Sequence, residues 1–379
     1  MMNWKDYSEK PTESTISSYP TLLDIVNDVV GISESNHLYK YPLERHKNAY
    51  YDNDKVEHYI MVKDEFAQMS VLMPMSRTPF TFYRGQWKYF DKCLPTLYRY
   101  EGEQLEYQRF LSCCQISEMM LVMRTHPAIA DMSFLSCIVH PKLGALPFPI
   151  LYDGLAQHYG INTDFLDLTN NIWTAAFFAS ARCQNGEYQP YEVDTDADIE
   201  DRFGVIYRLD YSQGPLQNKN FSNDRISPIG LQYFNRPGRQ CAFVKQMRIG
   251  ENFNDTEGLE RVFFRHDNEV NRLIFTLCQF GKQFFPEDSL VTIVNEIKQS
   301  NRFCKQSIES VRNIYYPGLP LEVLEQHANE AQFELTDTLN AGFDSDQMEK
   351  EADAWFNGGK ERYMDSIRIL AVLQIPYDY

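Results

Sequence analysis

Four short segments of this chain carry side chains whose types and spacing can do chemistry. In Phe82-Tyr83-Arg84-Gly85-Gln86 an arginine closes an aromatic run beside a glycine. A guanidinium is rarely buried unless paired. Arg84 therefore either grips a ligand carboxylate or phosphate, with Tyr83, Gly85 and Gln86 around it, or pairs with an internal aspartate and ties its strand to a neighbour. In Leu155-Ala156-Gln157-His158-Tyr159-Gly160, His158 lies seven residues after Leu151 and three after Leu155, on their apolar helix face. A satisfied core histidine is the commoner reason for such a position. The functional alternative sets Gln157 and His158 at a helix end facing a pocket, with His158 as a hydrogen-bond donor or acid–base group.

The third segment is Thr163-Asp164-Phe165-Leu166-Asp167-Leu168-Thr169-Asn170. Asp167, Thr169 and Asn170 are each ordinary helix N-caps ahead of the apolar run that follows. Alternatively, Asp167 is the partner of Arg84, and Thr163 and Thr169 line a ligand site. The fourth segment is Asn235-Arg236-Pro237-Gly238-Arg239-Gln240-Cys241-Ala242-Phe243, a basic turn running into a strand. In an acidic chain, two arginines, Arg236 and Arg239, beside a Pro-Gly turn are either a local anion site or a solvated turn. No Ser-His-Asp or Cys-His arrangement, metal-spaced cluster, G-x-G-x-x-G or P-loop stands out, so no metal is predicted.

The elements that must position these residues follow from periodicity. Residues 14–31 read as an amphipathic helix stopped by Gly31, and 32–75 as loops with one short helix. Phe80 to Arg84 reads as a strand ended by Gly85. Helices are predicted at about 101–124, at about 149–159 with Gly160 as a left-handed cap, and over Ile172–Arg182, which is apolar nearly all round and hence buried. The polar stretch 184–202 reads as a loop. Strands are predicted at Val205–Leu209, Ala242–Arg248 and Glu260–Arg265, and helices at 269–280 and 288–300. From 301 the pattern is helical and acidic, without strand signals. Strands separated by unequal helices and loops imply an α+β fold with a central, mostly antiparallel sheet and flanking helices. Residues 1–300 form the main domain and 301–379 a C-terminal helical appendage.

Of the 379 residues, 43% are hydrophobic, which supplies a sizeable core, and the net charge is −17. Such acidity opposes bulk nucleic-acid binding but not a small anionic ligand held by a few arginines. No apolar run approaches the roughly 20 residues of a membrane span. The first residues lack a secretory pattern. Eight cysteines in mostly apolar surroundings read as small buried hydrophobes in a reducing compartment. A cytoplasmic protein is expected.

Taken in order, the segments resemble the FRG domain family. The matching residues are Phe82-Tyr83-Arg84-Gly85-Gln86, Leu94-Pro95-Thr96-Leu97-Tyr98-Arg99, Leu155-Ala156-Gln157-His158-Tyr159-Gly160 and Thr163 with Leu166-Asp167-x-Thr169. Ala175-Ala176-Phe177-Phe178-Ala179, Arg239-Gln240-x-x-Phe243 and Phe285-Pro286-x-Asp288 complete the series. The resemblance runs over roughly residues 14–300. Where the family has Pro-Thr-Arg-Leu-Leu-Asp-Trp-Thr, this chain has Asn162, Asp164, Phe165 and Leu168, and Asp164 removes a positive charge from the supposed pocket.

A weaker resemblance is to ADP-ribosyltransferases, which begin with a strand ending in aromatic-Arg-Gly and continue to a hydroxyl-bearing strand before an Ala/Phe helix. Their third element is a Glu-bearing strand. Here the corresponding residues are Arg84, Thr169 before Ala175-Ala176-Phe177-Phe178, and Gln240. That likeness implies NAD as substrate, with Arg84, His158, Asp167 and Gln240 at the chemistry and Tyr83, Gly85, Gln86, Gln157, Thr163, Thr169 and Arg239 around the ligand. Gln240 supplies no negative charge, so turnover requires another carboxylate such as Asp167. The expected function is cleavage or transfer of ADP-ribose, of use to a toxin or antiphage effector. The alternative is a non-catalytic sensor or interaction module, with a structural Arg84–Asp167 pair and a protein partner on the C-terminal helices.

Overall fold

The computed structural model describes residues 2–35, 58–64, 69–75, 81–134, 138–140, 144–146, 150–184, 186–194, 196–211, 214–216, 224–229, 233–234, 236–286, 288–359 and 368–369. The chain runs through α1 (Leu22–Ser35), β1 (His58–Asp64), β2 (Met69–Met75), β3 (Thr81–Gln86), α2 (Gly102–Arg124), α3 (Pro127–Phe134), β4 (Ile138–His140) and β5 (Gly144–Leu146). Next come α4 (Tyr152–His158), β6 (Phe165–Thr169), α5 (Ile172–Ser180), β7 (Ala181–Gln184), β8 (Glu187–Pro190), β9 (Phe203–Asp210), β10 (Ile226–Pro228) and α6 (Arg236–Arg239). The order closes with β11 (Ala242–Gln246), β12 (Leu259–Arg265), α7 (Asn268–Leu277), α8 (Ser289–Gln299), β13 (Arg302–Cys304), α9 (Lys305–Tyr315), α10 (Leu321–Glu330), β14 (Glu334–Thr336), α11 (Ser345–Ala354) and β15 (Arg368–Ile369).

The fold is α+β. Six strands form one sheet in the order β10-β11-β6-β3-β9-β12, and every neighbouring pair is antiparallel. Side chains alternate between its faces, as strand geometry requires. Phe82, Leu166, Leu168, Val205, Tyr207, Phe243 and Phe263 fill one core. On the other face Tyr83, Ile206, Val262 and Phe264 pack under α5, α1 and α7, while Phe165, Ala242 and Val244 form a smaller cluster with Leu151. Helix α5 starts where Asn171 accepts from the Trp173 amide, an N-cap that releases the apolar run into the core.

Gly85 lies inside β3 rather than ending it, because α5 crosses directly above. A Cβ at this position would sit 1.8 Å from the main-chain oxygen of Ala175 and 3.0 Å from the Ala179 Cβ. The glycine is required by close approach, not by a turn.

Several expectations change. Gly31 does not stop α1, which runs on to Ser35. Within 32–75, residues 32–35 continue α1 and two stretches form the antiparallel pair β1–β2; the rest of that range lies outside the described residues, as does Phe80. The segment read as a run of N-caps is strand β6. Helix α5 ends at Ser180, two residues short of the predicted Arg182, and the chain turns into the β7–β8 hairpin, whose β8 lies within the stretch read as a loop. Pro237 and Gly238 fall in the single helical turn α6. Gly160 does take the left-handed conformation, with φ of 81°.

Beyond residue 301, helices dominate, but β13 and β14 pair in parallel. This region shares a core with α2: Phe110, Cys113 and Cys114 pack against Phe303, Ile308, Val311, Leu324, Ala328 and Phe333. Glu118 of α2, 1% exposed, fastens the contact. It accepts from the Cys304 amide at 3.0 Å and the Ser307 hydroxyl with one oxygen, and from the Asn340 amide at 3.0 Å with the other. A carboxylate beside the N-terminus of α9, on the Cys304 amide and the Ser307 hydroxyl, complements that helix's dipole.

The crossing of α5 over β3 makes a direct prediction. Gly85→Ala forces strand and helix apart and destabilises the protein by roughly 1–3 kcal/mol. The urea midpoint should fall accordingly at unchanged slope, and an unshifted midpoint would contradict the close approach.

Candidate functional site

Strands β3 and β6 are joined by one residue pair, Tyr83 opposite Thr169. Beyond it they part. Arg84, Gly85 and Gln86 continue the ladder with β9 alone, and Asp167, Leu166 and Phe165 continue with β11. The Asp167 carbonyl would lack a ladder partner on the β3 side, and a buried carbonyl left bare is costly. The Nη1 of Arg84 fills this gap, donating to that oxygen at 2.8 Å. Arg84 thus meets residue 167 through the main chain. Alternation explains why: Arg84 follows Phe82 onto one face, whereas Asp167 follows Phe165 onto the other. The side-chain pair between them is replaced by a guanidinium–carbonyl bond.

The Asp167 carboxylate instead faces the end of α4. Gln157 donates to its Oδ2 at 3.4 Å, and Nε2 of His158 lies 3.6 Å from its Oδ1. The imidazole is almost enclosed, 3% exposed, while the Asp167 side chain is 42% exposed. Since Oδ1 is itself buried, the open part of the carboxylate is its Oδ2 side.

The network fixes which ring nitrogen of His158 carries the proton. Gln240 donates through Nε2 to the Phe284 carbonyl at 3.1 Å, so its Oε1 is the acceptor 2.9 Å from His158 Nδ1. Nδ1 is therefore protonated, an assignment that rests on the hydrogen-bond pattern. In the neutral ring, Nε2 is a bare acceptor. It faces a second acceptor, Oδ1, and neither has a hydrogen-bond partner. Burial, the largest influence, pushes the His158 pKa below its usual 6.5; Asp167 and the Gln240 bond act in the opposite sense, and Arg236 adds to the depression.

The surrounding residues hold this arrangement in place. Thr163, itself buried, donates to Gln157 Oε1 at 2.5 Å, which points the other end of that amide at Asp167. Thr169 donates to the main-chain oxygen of Gln240 at 2.7 Å, so it sets the position of Gln240 rather than facing a ligand. Tyr83 is a core residue under α5. Gln86 donates to the Cys93 sulfur at 3.6 Å. Arg239 is half-buried at the end of α6. The predicted residues Gln157, His158, Thr163, Asp167, Thr169 and Gln240 thus come together on one face, and Arg84 and Gln86 lie on the other.

Arg236, the other arginine of the basic turn, lies against the end of α4. Its Nη1 donates to the His158 carbonyl at 3.0 Å, and its guanidinium sits 4.6 Å from the Tyr159 ring and 5.3 Å from the Phe285 ring. Tyr159 donates to Asp288 at 2.7 Å, and Asp288 caps α8. The Tyr159 and Phe285-Pro286-x-Asp288 motifs therefore serve to clamp the His158 end of α4. Among the described residues, no group of three or more His, Cys, Asp or Glu side chains is placed to hold a metal ion. No helix among them is long and apolar enough to cross a membrane.

With this geometry established, comparison with known families finds a match to the FRG domain over residues 80–187. The matched segment begins just before β3 and takes in Arg84, α4, β6 and α5. The match is shorter than the resemblance read from motifs, and α6, β11 and Asp288 lie beyond it. No curated protein and no solved structure matches the chain.

The buried ring also sets a pH dependence. His158 is depressed in the folded state, so the unfolded chain binds more protons near its ordinary pKa. Its contribution is fully retained above about pH 6.5 and is lost as pH falls through the lower folded value. A titration of the His158 ring resonances should show a midpoint below 6.5. A midpoint above it would mean that Asp167 outweighs burial.

Proposed function

We propose that this FRG domain binds NAD or a related nucleotide and breaks the bond between the nicotinamide ring and the ribose, releasing or transferring ADP-ribose. The observation that carries this reading is the half-exposed Asp167 carboxylate, backed by an uncharged His158 whose free nitrogen faces it at 3.6 Å. A carboxylate with one open oxygen accepts a ribose hydroxyl and places negative charge beside the positive charge that develops on the sugar. It supplies the charge that Gln240, an amide, cannot. As the glycosidic bond breaks, its electron pair leaves with nicotinamide. Water or an acceptor hydroxyl forms the new bond to the sugar carbon, and its proton passes to the Asp167 carboxylate.

In this reading Asp167 is the catalytic residue. His158, Gln157 and Gln240 are positioning residues, each acting through the carboxylate or through the ring beside it. The resemblance to ADP-ribosyltransferases supports the choice of NAD, and a toxin or antiphage role would follow from depletion of NAD or modification of a target.

A second reading is favoured by one observation: Arg84 donates to its own chain at the Asp167 carbonyl. In a non-catalytic interaction module that bond would be the whole purpose of the arginine, and the helices beyond residue 301 would receive a protein partner.

Incubation with NAD separates the two. Nicotinamide release is expected from the wild type, reduced about 10²-fold or more in Asp167→Asn, with an acid limb where His158 becomes protonated. A wild type that releases no nicotinamide and modifies no macromolecule, under conditions where a known transferase does, would favour the module.

A further inference from the structure

We propose that helix α11, which lies outside the matched FRG segment, is a strap that positions His158, and that it acts through one residue, Glu351. The effect on turnover rests on the catalytic reading above, but the mechanical link to α4 does not.

Helix α11 buries none of its own side chains. Met348, Glu351 and Ala352 are half-buried, and Trp355, just past its end, is buried. Offsets of three, four and seven residues define one helix face. A helix without a buried apolar stripe depends on its polar contacts, and here these converge on Glu351. Its Oε2 accepts from His126 Nε2 at 3.1 Å and from the Ser289 hydroxyl at 3.3 Å. Its main-chain oxygen accepts from the Tyr233 hydroxyl at 3.3 Å. Gln347, one turn earlier, donates to Oε1 at 2.8 Å and steadies the carboxylate. The start of α3, the start of α8 and Tyr233 thus all meet on one residue of α11.

The His126 bond has a defined sense. The ring is fully enclosed, and its Nδ1 accepts from the Ala128 amide at 3.2 Å. The His126 carbonyl accepts from the Ala130 amide at 2.9 Å. His126 is therefore the N-cap of α3, with its proton on Nε2, and Glu351 is the acceptor which that proton requires. Tyr233 and Phe343 pack on the ring, each with its centroid 4.9 Å away. Trp355 adds a second fastening by donating to Asp131 at 2.8 Å.

Two short paths run from Glu351 and arrive on both sides of His158. Ser289 follows Asp288, which caps α8 and accepts from Tyr159 at 2.7 Å, and Tyr159 is the residue after His158. Tyr233 stands three residues before Arg236, whose Nη1 holds the His158 carbonyl at 3.0 Å. The contact of His158 with Asp167 has no hydrogen bond of its own to keep its spacing. A small shift of the α4 end therefore changes what backs the carboxylate. Such a displacement acts on turnover more than on substrate binding, because the ring touches the reacting group and not the ligand.

Contiguity becomes coupling only where a change at one end is read at the other. The test is hydrogen–deuterium exchange and nicotinamide release by the full chain carrying Glu351→Ala, Ser289→Ala or Glu351→Gln. Glu351→Ala should speed exchange about tenfold or more in peptides covering 345–355 and in those covering 156–161, with β9 and β12 unchanged. Ser289→Ala removes one half-buried hydroxyl, keeps the fold, and should speed exchange at 156–161 to a smaller extent. Glutamine still accepts the His126 proton, so Glu351→Gln should exchange as the wild type does. In Glu351→Ala, kcat should fall about tenfold while KM stays within about twofold, and Glu351→Gln should recover both. Faster exchange in α11 alone overturns the strap, as does an equal rise in every element including β9 and β12. Faster exchange at 156–161 in Glu351→Ala, in a protein whose wild type releases no nicotinamide, keeps the strap and discards the catalytic reading. Nicotinamide release that is insensitive to Glu351→Ala, with exchange at 156–161 unchanged, does the reverse.

Discussion

The candidate site depends on one structural constraint: β3 and β6 touch through a single residue pair and then diverge. Gly85 is held under α5 and cannot follow β6, while β6 keeps its full ladder with β11. The divergence leaves the Asp167 carbonyl facing an arginine and turns the Asp167 carboxylate outward on the other face. A continuous ladder would have used the carbonyl in an ordinary strand pairing and left Arg84 with no reason to be there. The family's aromatic-Arg-Gly motif is thus one structural device. The aromatic residues fill both cores, the glycine admits the helix, and the arginine closes the gap that the helix creates.

Around that device the polar groups form an ordered chain. Thr163 orients Gln157, Gln157 reaches Asp167, Asp167 faces His158, and His158 is held by Gln240, whose own position is set by Thr169 and the Phe284 carbonyl. Only one contact in the chain lacks a hydrogen, the one between His158 and Asp167. Buried polar groups normally find partners, and this contact beside a half-exposed carboxylate is an exception. Arg236, stacked between two aromatic rings, keeps the end of α4 from moving away from it.

Much of this was legible in the sequence, and the failures have physical causes. The residues of the site were named because their types are uncommon in their settings, such as a histidine on the Leu151/Leu155 face. Strand β6 was missed because Asp167, Thr169 and Asn170 are good caps. Phe-Leu-Asp-Leu-Thr alternates as a strand only once one knows that Leu166 and Leu168 face a core. The expected Arg84–Asp167 pair named the right two residues, but no sequence pattern distinguishes a carbonyl from a carboxylate as acceptor. Gly31 and Gly85 were both read as stops, whereas α1 runs past the first and the second marks close packing. Arg236 was legible only as one of two arginines beside a turn, because the fold alone displays its bond to the His158 carbonyl.

The proposed ligand site lies where β3 and β6 diverge. Hydrogen–deuterium exchange of the full chain with and without saturating NAD tests it most directly. The account predicts slower exchange in peptides covering 81–86, 93–99 and 157–169, with the helices beyond residue 305 unchanged. Protection confined to those C-terminal helices, or none at all, would contradict it.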